Sequence, residues 1–242
     1  MAWYLPDDAV LGIFAKRPIP GAVKTRLAAT IGVEAATELH EAMVLDLLDL
    51  WGGERILAAG GRRVLVYAPK DAGPWFDERV PQSFALQPQV EGSLGDRMAE
   101  FFAGELAEGA RRVVLIGSDS PTLDPSLVIS AFLCLEGKDL VLGPATDGGY
   151  YLIGCRGPVP PVFDDVVWGS ASVLSTTLSL AERAGRSLAI LPPWYDVDEE
   201  RDLQVLAAHL RGLRQSGCDP ELPRLESWFT RHAPLEPATG PR

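Results

Sequence analysis

The sequence predicts a single-domain, three-layer α/β/α sandwich around a mainly parallel, partly mixed sheet. Short apolar runs that end in Gly, Pro or Asp loops alternate with longer stretches of helical periodicity. Leu140–Leu142 and Tyr150–Ile153 follow each other with only turn-rich residues between them, which introduces the mixed pairing. The 242 residues, 47% hydrophobic and 23% charged, suit one large domain with a substantial core. No internal repeat or dividing linker is visible, so residues 1–230 are expected to form one domain. Residues 231–242, Pro-rich and without apolar periodicity, are expected to be a flexible tail.

Val10 to Ala15 has the character of a fully buried first strand. Pro18, Pro20 and Gly21 forbid its continuation as strand or helix. From about Val33 to Trp51, Ala36, Leu39, Met43, Leu47 and Leu50 recur at helical spacing, and Gly52-Gly53 is a stop signal. Arg63–Ala68 reads as a second strand and Phe84–Leu86 as a weaker one, before a helix from about Gly95 to Glu108. Arg112–Ile116 is the third clear strand and opens into GSDSPTLDP, followed by a helix over Asp124–Leu135. After the two strands in the 140s and 150s come a helix over Ser170–Ala184, a strand at Leu188–Leu191 and a helix over Glu199–Arg214. Leu222–Thr230 is a further helix candidate.

A formal charge of -11 argues against sequence-independent binding of nucleic acid, which needs many phosphates neutralised. Three cysteines without a CxxC pair read as reduced structural thiols, and three histidines without ligand spacing argue against a histidine metal site. There is no basic segment leading into an apolar core at the start, and no apolar run of membrane-spanning length. The expectation is a soluble, cytoplasmic protein with no membrane partner.

Against that acidic background, Ala9 to Val33 contains Lys16, Arg17, Lys24 and Arg26 and no acidic residue. Gly21 and the prolines can hold a backbone turn from which Lys24 and Arg26 reach phosphate oxygens, Lys as a point charge and Arg as a fork. Thr25 and the amides after it open the next helix, whose start also favours anions. A solvated basic turn fits the same composition, and neither GxxxxGK[ST] nor GxGxxG is present. Asp119, just past the third strand, is a suitable hard-oxygen ligand for Mg²⁺, or equally a turn residue; Asp124 reads as a helix cap. Asp196 and Asp198 share a side of an extended segment, so one is free to bind metal while the other caps the helix after it. Asp147-Gly148-Gly149 is either a hairpin turn or a close approach to a ligand, with Asp147 as anchor. No nucleophile triad is present, since Ser118 and Ser120 lack GxSxG context.

These motifs together resemble a bacterial family, DUF2064, of glycosyltransferase-A-type proteins. The resemblance rests on FAKRPIPGAVKTRL, LGDRM at Leu94–Met98, GSDSPTL at Gly117–Leu123, DGGYYLIG at Asp147–Gly154, VVWGSASVL at Val166–Leu174 and DVDEERDL at Asp196–Leu203, in that order. It covers roughly Val10 to Leu203. It implies the nucleotide-diphospho-sugar transferase fold, shared with sugar-phosphate and cofactor nucleotidyltransferases. By position it implies Asp119 and Asp198 as ligands of Mg²⁺ or Mn²⁺. It also implies Lys24 and Arg26 as phosphate ligands, because KTRL looks like the triphosphate element of guanylyltransferases that activate phospholactate-type substrates. Ala15, Lys16, Gly21, Lys24, Thr25, Arg26 and Gly95 are then the nucleotide side, and Asp147, Gly148, Gly149, Tyr150 and Trp168 the acceptor side. One departure is that Glu199 and Glu200 follow Asp198 where the family often has Thr-Pro.

The function this implies is a Mg²⁺-dependent transferase, with Lys24, Arg26 and Asp119 as its catalytic residues. Nucleotidyl transfer from an NTP to a phosphorylated small-molecule acceptor is the leading expectation. Sugar transfer from an NDP-sugar, with Asp147 as base, is the alternative, and a non-catalytic nucleotide-binding protein the third.

Overall fold

The computed structural model describes residues 3–53, 56–58 and 61–232. The order is β1 (Trp3–Leu5), β2 (Ala9–Lys16), α1 (Thr25–Ile31), α2 (Val33–Gly52), β3 (Ile56–Ala58), β4 (Arg62–Ala68), α3 (Gly73–Asp77), β5 (Phe84–Pro88) and α4 (Leu94–Ala107). Then follow β6 (Arg112–Gly117), α5 (Pro125–Cys134), β7 (Leu140–Pro144), β8 (Tyr150–Arg156), α6 (Val173–Arg183), β9 (Leu188–Ile190), α7 (Glu200–Gln215) and α8 (Pro223–His232). Among the described residues the main sheet has seven strands in the order β5-β4-β2-β6-β8-β7-β9. All neighbours are parallel except β8, which runs antiparallel to both β6 and β7. The α/β sandwich expected from the alternation is therefore the fold, and its mixed region is the β7–β8 hairpin.

The strand β2, apolar on both faces, sits inside the sheet between β4 and β6. Leu11, Ile13 and Ala15 pack toward α2, α3 and α5, while Val10 packs with Val64, Val66 and Phe102 on the other side. Gly12 leaves room there for the Phe101 ring, which a Cβ would strike. A third apolar cluster joins α1 and α2 to α7 and α8 through Leu27, Leu39, Met43, Leu206, Leu210, Leu225 and Trp228. Burying each of those leucines contributes roughly 1.5–3 kcal/mol. The buried carboxylate of Asp46 on α2 accepts from the Leu225 amide at 2.9 Å and the Arg224 amide at 3.2 Å, so α2 caps the start of α8. Arg231 and His232, expected in the tail, belong to α8, where the His232 ring stacks on Trp228 at 4.6 Å. Residues 233–242, the rest of the expected tail, lie outside the described residues.

Four elements differ from the periodicity reading. The pair β1–β3 was not anticipated, because three-residue strands carry no measurable period. The helix α1 is seven residues long and separated from α2 by Gly32 at φ 89°, a left-handed position that breaks the helical run. The helix expected from Ser170 begins at Val173, because Ser170 and Ser172 spend their hydroxyls on each other and on the preceding turn. Among the described residues, no helix is long and apolar enough to cross a membrane.

Candidate active site

The loops after β2 and β6 and the segment before α7 meet at the carboxyl edge of the sheet, where open α/β folds bind ligands. They enclose a cleft of about 490 Å³, within the range of small-molecule sites. One backbone bond and a side-chain bridge bring the acidic loops together. The Val197 amide donates to the Asp119 carbonyl at 2.9 Å, and the Tyr195 hydroxyl lies 2.8 Å from Thr122 Oγ1 and 2.9 Å from His209 Nδ1.

Lys24 is the centre of the site. Its ammonium bonds Asp119 Oδ1 and reaches Asp198 Oδ1 at 3.1 Å. Lys24 holds left-handed backbone angles (φ 46°, ψ 41°), which for a non-glycine residue cost roughly 1–3 kcal/mol. The strained turn aims its side chain inward rather than along α1. Burial works against the Lys24 charge, but the two carboxylates outweigh it and its pKa is raised. For Asp119 burial likewise opposes ionisation, yet Lys24 holds the carboxyl below its ordinary value. Both groups are therefore charged at neutral pH. The Lys24 side chain is 4% exposed, whereas Asp119 and Asp198 leave 45% and 34% open, so the carboxylates face the cleft and the ammonium lies beneath them.

Arg26 stands at the rim, bonded to Glu199 Oε1 at 2.9 Å and Asp198 Oδ2 at 3.3 Å. Asp147 is near enough for its charge to raise the Arg26 pKa further and to act on Asp196. Neither Asp196 nor Asp198 caps α7, contrary to expectation. Glu199 is the N-cap, and Asp202 accepts from the Glu199 amide at 2.8 Å and from the Asp198 amide at 3.1 Å. That capping box leaves both aspartate side chains for the cleft. Asp196 accepts from the Ser120 hydroxyl, and burial, added to the charges of Asp119, Asp147 and Asp198, pushes its pKa up to about 6. Asp124 does cap α5, accepting from the Ser126 amide at 2.8 Å.

Of the residues implied as nucleotide ligands, Ala15, Lys16, Lys24 and Thr25 line the cleft. Gly21, at φ 77°, shapes the turn before them. Gly95 does not line it: a Cβ there would come within 2.8 Å of Trp168 Nε1, so this glycine serves the packing of Trp168 on α4. Tyr150 lines the cleft and meets Trp168 edge-on at 6.4 Å. Asp147 accepts from the Gly149 amide at 2.8 Å, and Gly148, at φ 93°, presses against the Ala171 backbone. These glycines thus seat the turn on the lead into α6.

His40 escaped sequence reading. It sits on the buried face of α2, and its Nε2 lies 3.0 Å from the Lys16 carbonyl. Its Nδ1 is buried without a partner at the cleft floor, and burial lowers its pKa, so the ring is neutral at pH 7. A single histidine in an apolar helix carries no pattern that announces this position.

The residues fit a hard divalent cation. Asp119 and Asp198 converge closely enough that one ammonium bridges them, and each keeps an open face toward the cleft. Two carboxylates suit Mg²⁺, which takes its remaining ligands from water and phosphate. Among the described residues, no group of three or more His, Cys, Asp and Glu side chains stands ready to enclose an ion.

Fold and site define a nucleotide-diphospho-sugar transferase-type domain with an acidic pair and a basic loop at its carboxyl edge. Residues 54–170 match DUF2064, described as an uncharacterized protein conserved in bacteria, and the chain belongs to that family. A crystal structure from Desulfovibrio desulfuricans G20, provisionally named a nucleotide-diphospho-sugar transferase, is 32% identical. It superposes with a TM-score of 0.81 over 94% of this chain and 99% of its own. The 3-phospho-D-glycerate guanylyltransferase of Phenylobacterium zucineum (strain HLK1) is 35% identical over 139 residues, which span 57% of this chain and 62% of that protein. The 4-diphosphocytidyl-2C-methyl-D-erythritol synthase of Anaerococcus prevotii DSM 20548 is 10% identical. Its TM-score of 0.53 over 85% of this chain and all of its own shows the fold alone.

Proposed function

We propose that the chain is a nucleotidyltransferase that joins an NTP to a phosphorylated small-molecule acceptor. The observation that carries this reading is the convergence of Lys24 and Arg26 on Asp119 and Asp198 at one end of the cleft. The similarity to a 3-phospho-D-glycerate guanylyltransferase supports it and makes GTP with 3-phosphoglycerate the first pair to test.

In this mechanism Lys24 releases the carboxylates when the nucleotide binds and takes a phosphate oxygen, while Arg26 holds the outer phosphates from the rim. Asp119 and Asp198 would hold Mg²⁺ or Mn²⁺, whose positive charge would offset that of the phosphate oxygens. An acceptor phosphate oxygen forms a bond to the α-phosphorus, the α–β bridging P–O bond breaks, and pyrophosphate leaves. The acceptor phosphate is ionised near pH 7, so no residue has to remove a proton. What the protein supplies is position and fixed charge. Tyr150, which lines the cleft with Trp168 edge-on against it, and the neighbouring Asp147 turn would make the acceptor side.

Sugar transfer from an NDP-sugar is the second reading, favoured by the name of the 32%-identical structure. There Asp147 is the candidate base for an acceptor hydroxyl. The two separate in one experiment, in which each NTP or NDP-sugar is incubated with Mg²⁺ and phosphorylated acceptors. Pyrophosphate released only with acceptor supports the first; free NDP from an NDP-sugar supports the second. Neither product, with every nucleotide tried, would leave a nucleotide-binding protein without catalysis.

A further inference from the structure

The edge of the sheet opposite the cleft holds a second concavity, of about 700 Å³. It lies where β6 and β7 begin and β8 ends, beneath the last turns of α4. One wall is apolar, with Leu106, Ala107 and Val159; the other carries Arg111, Arg156 and Arg186. In a chain of net charge -11, three guanidinium groups around one opening ask for an explanation.

Their charges are only partly matched within the protein, where the one carboxylate of Asp139 acts on both Arg156 and Arg186. Arg186 Nε is buried without a partner, and among the described residues Arg186 makes no ion pair. The nearest carboxylate oxygen to Arg111 is Asp8 Oδ2 at 3.8 Å, and to Arg156 it is Asp139 Oδ1 at 4.0 Å. Asp139 is the one carboxylate among the residues lining the concavity, and it is already engaged. Its Oδ2 accepts from the Ser187 amide at 2.9 Å and the Ser187 hydroxyl at 2.7 Å. Arg156 Nη1 also donates to the Glu136 carbonyl, which occupies one nitrogen of its fork.

We propose that this concavity, lined by Arg111, Arg156 and Arg186 against an apolar wall, binds a small phosphorylated metabolite at a site separate from the active cleft. Guanidinium forks match phosphate oxygens in pairs, and the apolar wall receives the carbon part of such a molecule. The net charge of -11 and the small size of the concavity favour a small molecule over a nucleic acid.

Calorimetric titration with inorganic pyrophosphate at physiological salt tests this. The full-length Lys24→Met variant is used, so that the active cleft contributes least. That variant should still bind pyrophosphate. Adding Arg186→Gln or Arg156→Gln should weaken the remaining binding about tenfold each, as expected for one charge-assisted hydrogen bond apiece. Arg186→Lys, which keeps the charge and loses the fork, should lie between. A cooperative melt of each variant checks that it is folded. Absence of binding to Lys24→Met at millimolar pyrophosphate, or residual binding that ignores both arginine substitutions, would overturn the proposal. Neither result bears on the transferase assay, so the two readings fail independently.

Discussion

Replacing Lys24 with Met leaves Asp119 and Asp198 facing each other without the ammonium that now bridges them. Removing one partner of a fully buried pair costs about 3–5 kcal/mol. Here the carboxylates are 45% and 34% exposed, so solvent screens much of that and about 1–2 kcal/mol is expected. In a domain of this size that lowers Tm by about 2–8 °C. If the two carboxylates are a cation site, Mg²⁺ should now bind more tightly, because no ammonium competes for the same oxygens. At a hundred times its Kd, bound Mg²⁺ adds about 2.7 kcal/mol and restores the loss. The assay is thermal unfolding of wild type and Lys24→Met, each in EDTA and in millimolar MgCl₂. Wild type should respond weakly to Mg²⁺ and the variant strongly. A variant as stable as wild type in EDTA would show that the bridging pair carries no energy. A variant destabilised but indifferent to Mg²⁺ would remove the metal assignment.

Three further outcomes are expected. Arg26→Ala, which loses only exposed ion pairs, should change stability by less than about 0.5 kcal/mol while weakening NTP binding about tenfold and leaving nucleoside binding unchanged; equal losses for NTP and nucleoside would refute a phosphate role. Because the Asp196 pKa is raised in the folded state to about 6, its ionisation destabilises the fold, by nothing below pH 3.8 and by up to about 3 kcal/mol above pH 6, reduced by its partial exposure. In metal-free buffer Asp196→Asn should therefore melt higher than wild type at pH 8 and alike at pH 3.5, and an equal difference at both would contradict the shift. Gly148→Ala puts a Cβ into the Ala171 backbone at a left-handed position and should cost about 2–4 kcal/mol, read from the urea midpoint at unchanged slope; tolerance would mean the turn is not seated as described.

Most of the fold was legible because strands buried on both faces and amphipathic helices write their periods directly into the chain. The runs at Val10–Ala15 and Arg112–Ile116 and the spacing from Ala36 to Leu50 needed no partner to be read. Boundaries were less legible, since the end of an element depends on which polar side chain wins the terminal amides. Asp202 takes the amides of Glu199 and Asp198, so Asp198 is released from capping, and no local pattern ranks those competitors. The same holds for Gly95, whose close approach to Trp168 joins residues far apart in the chain.

The sequence alone determined the α/β class, the basic island from Lys16 to Arg26 and the three loops with unusual chemistry, because each is a property of adjacent residues. Tertiary structure alone decided that Lys24 points between Asp119 and Asp198, that His40 lies neutral beneath them and that Asp196 stays partly buried beside Ser120. It also decided that three arginines from different segments share the opposite edge. Those facts depend on distances between segments far apart in the chain, and on burial that sets each charge. A chain read in order contains neither.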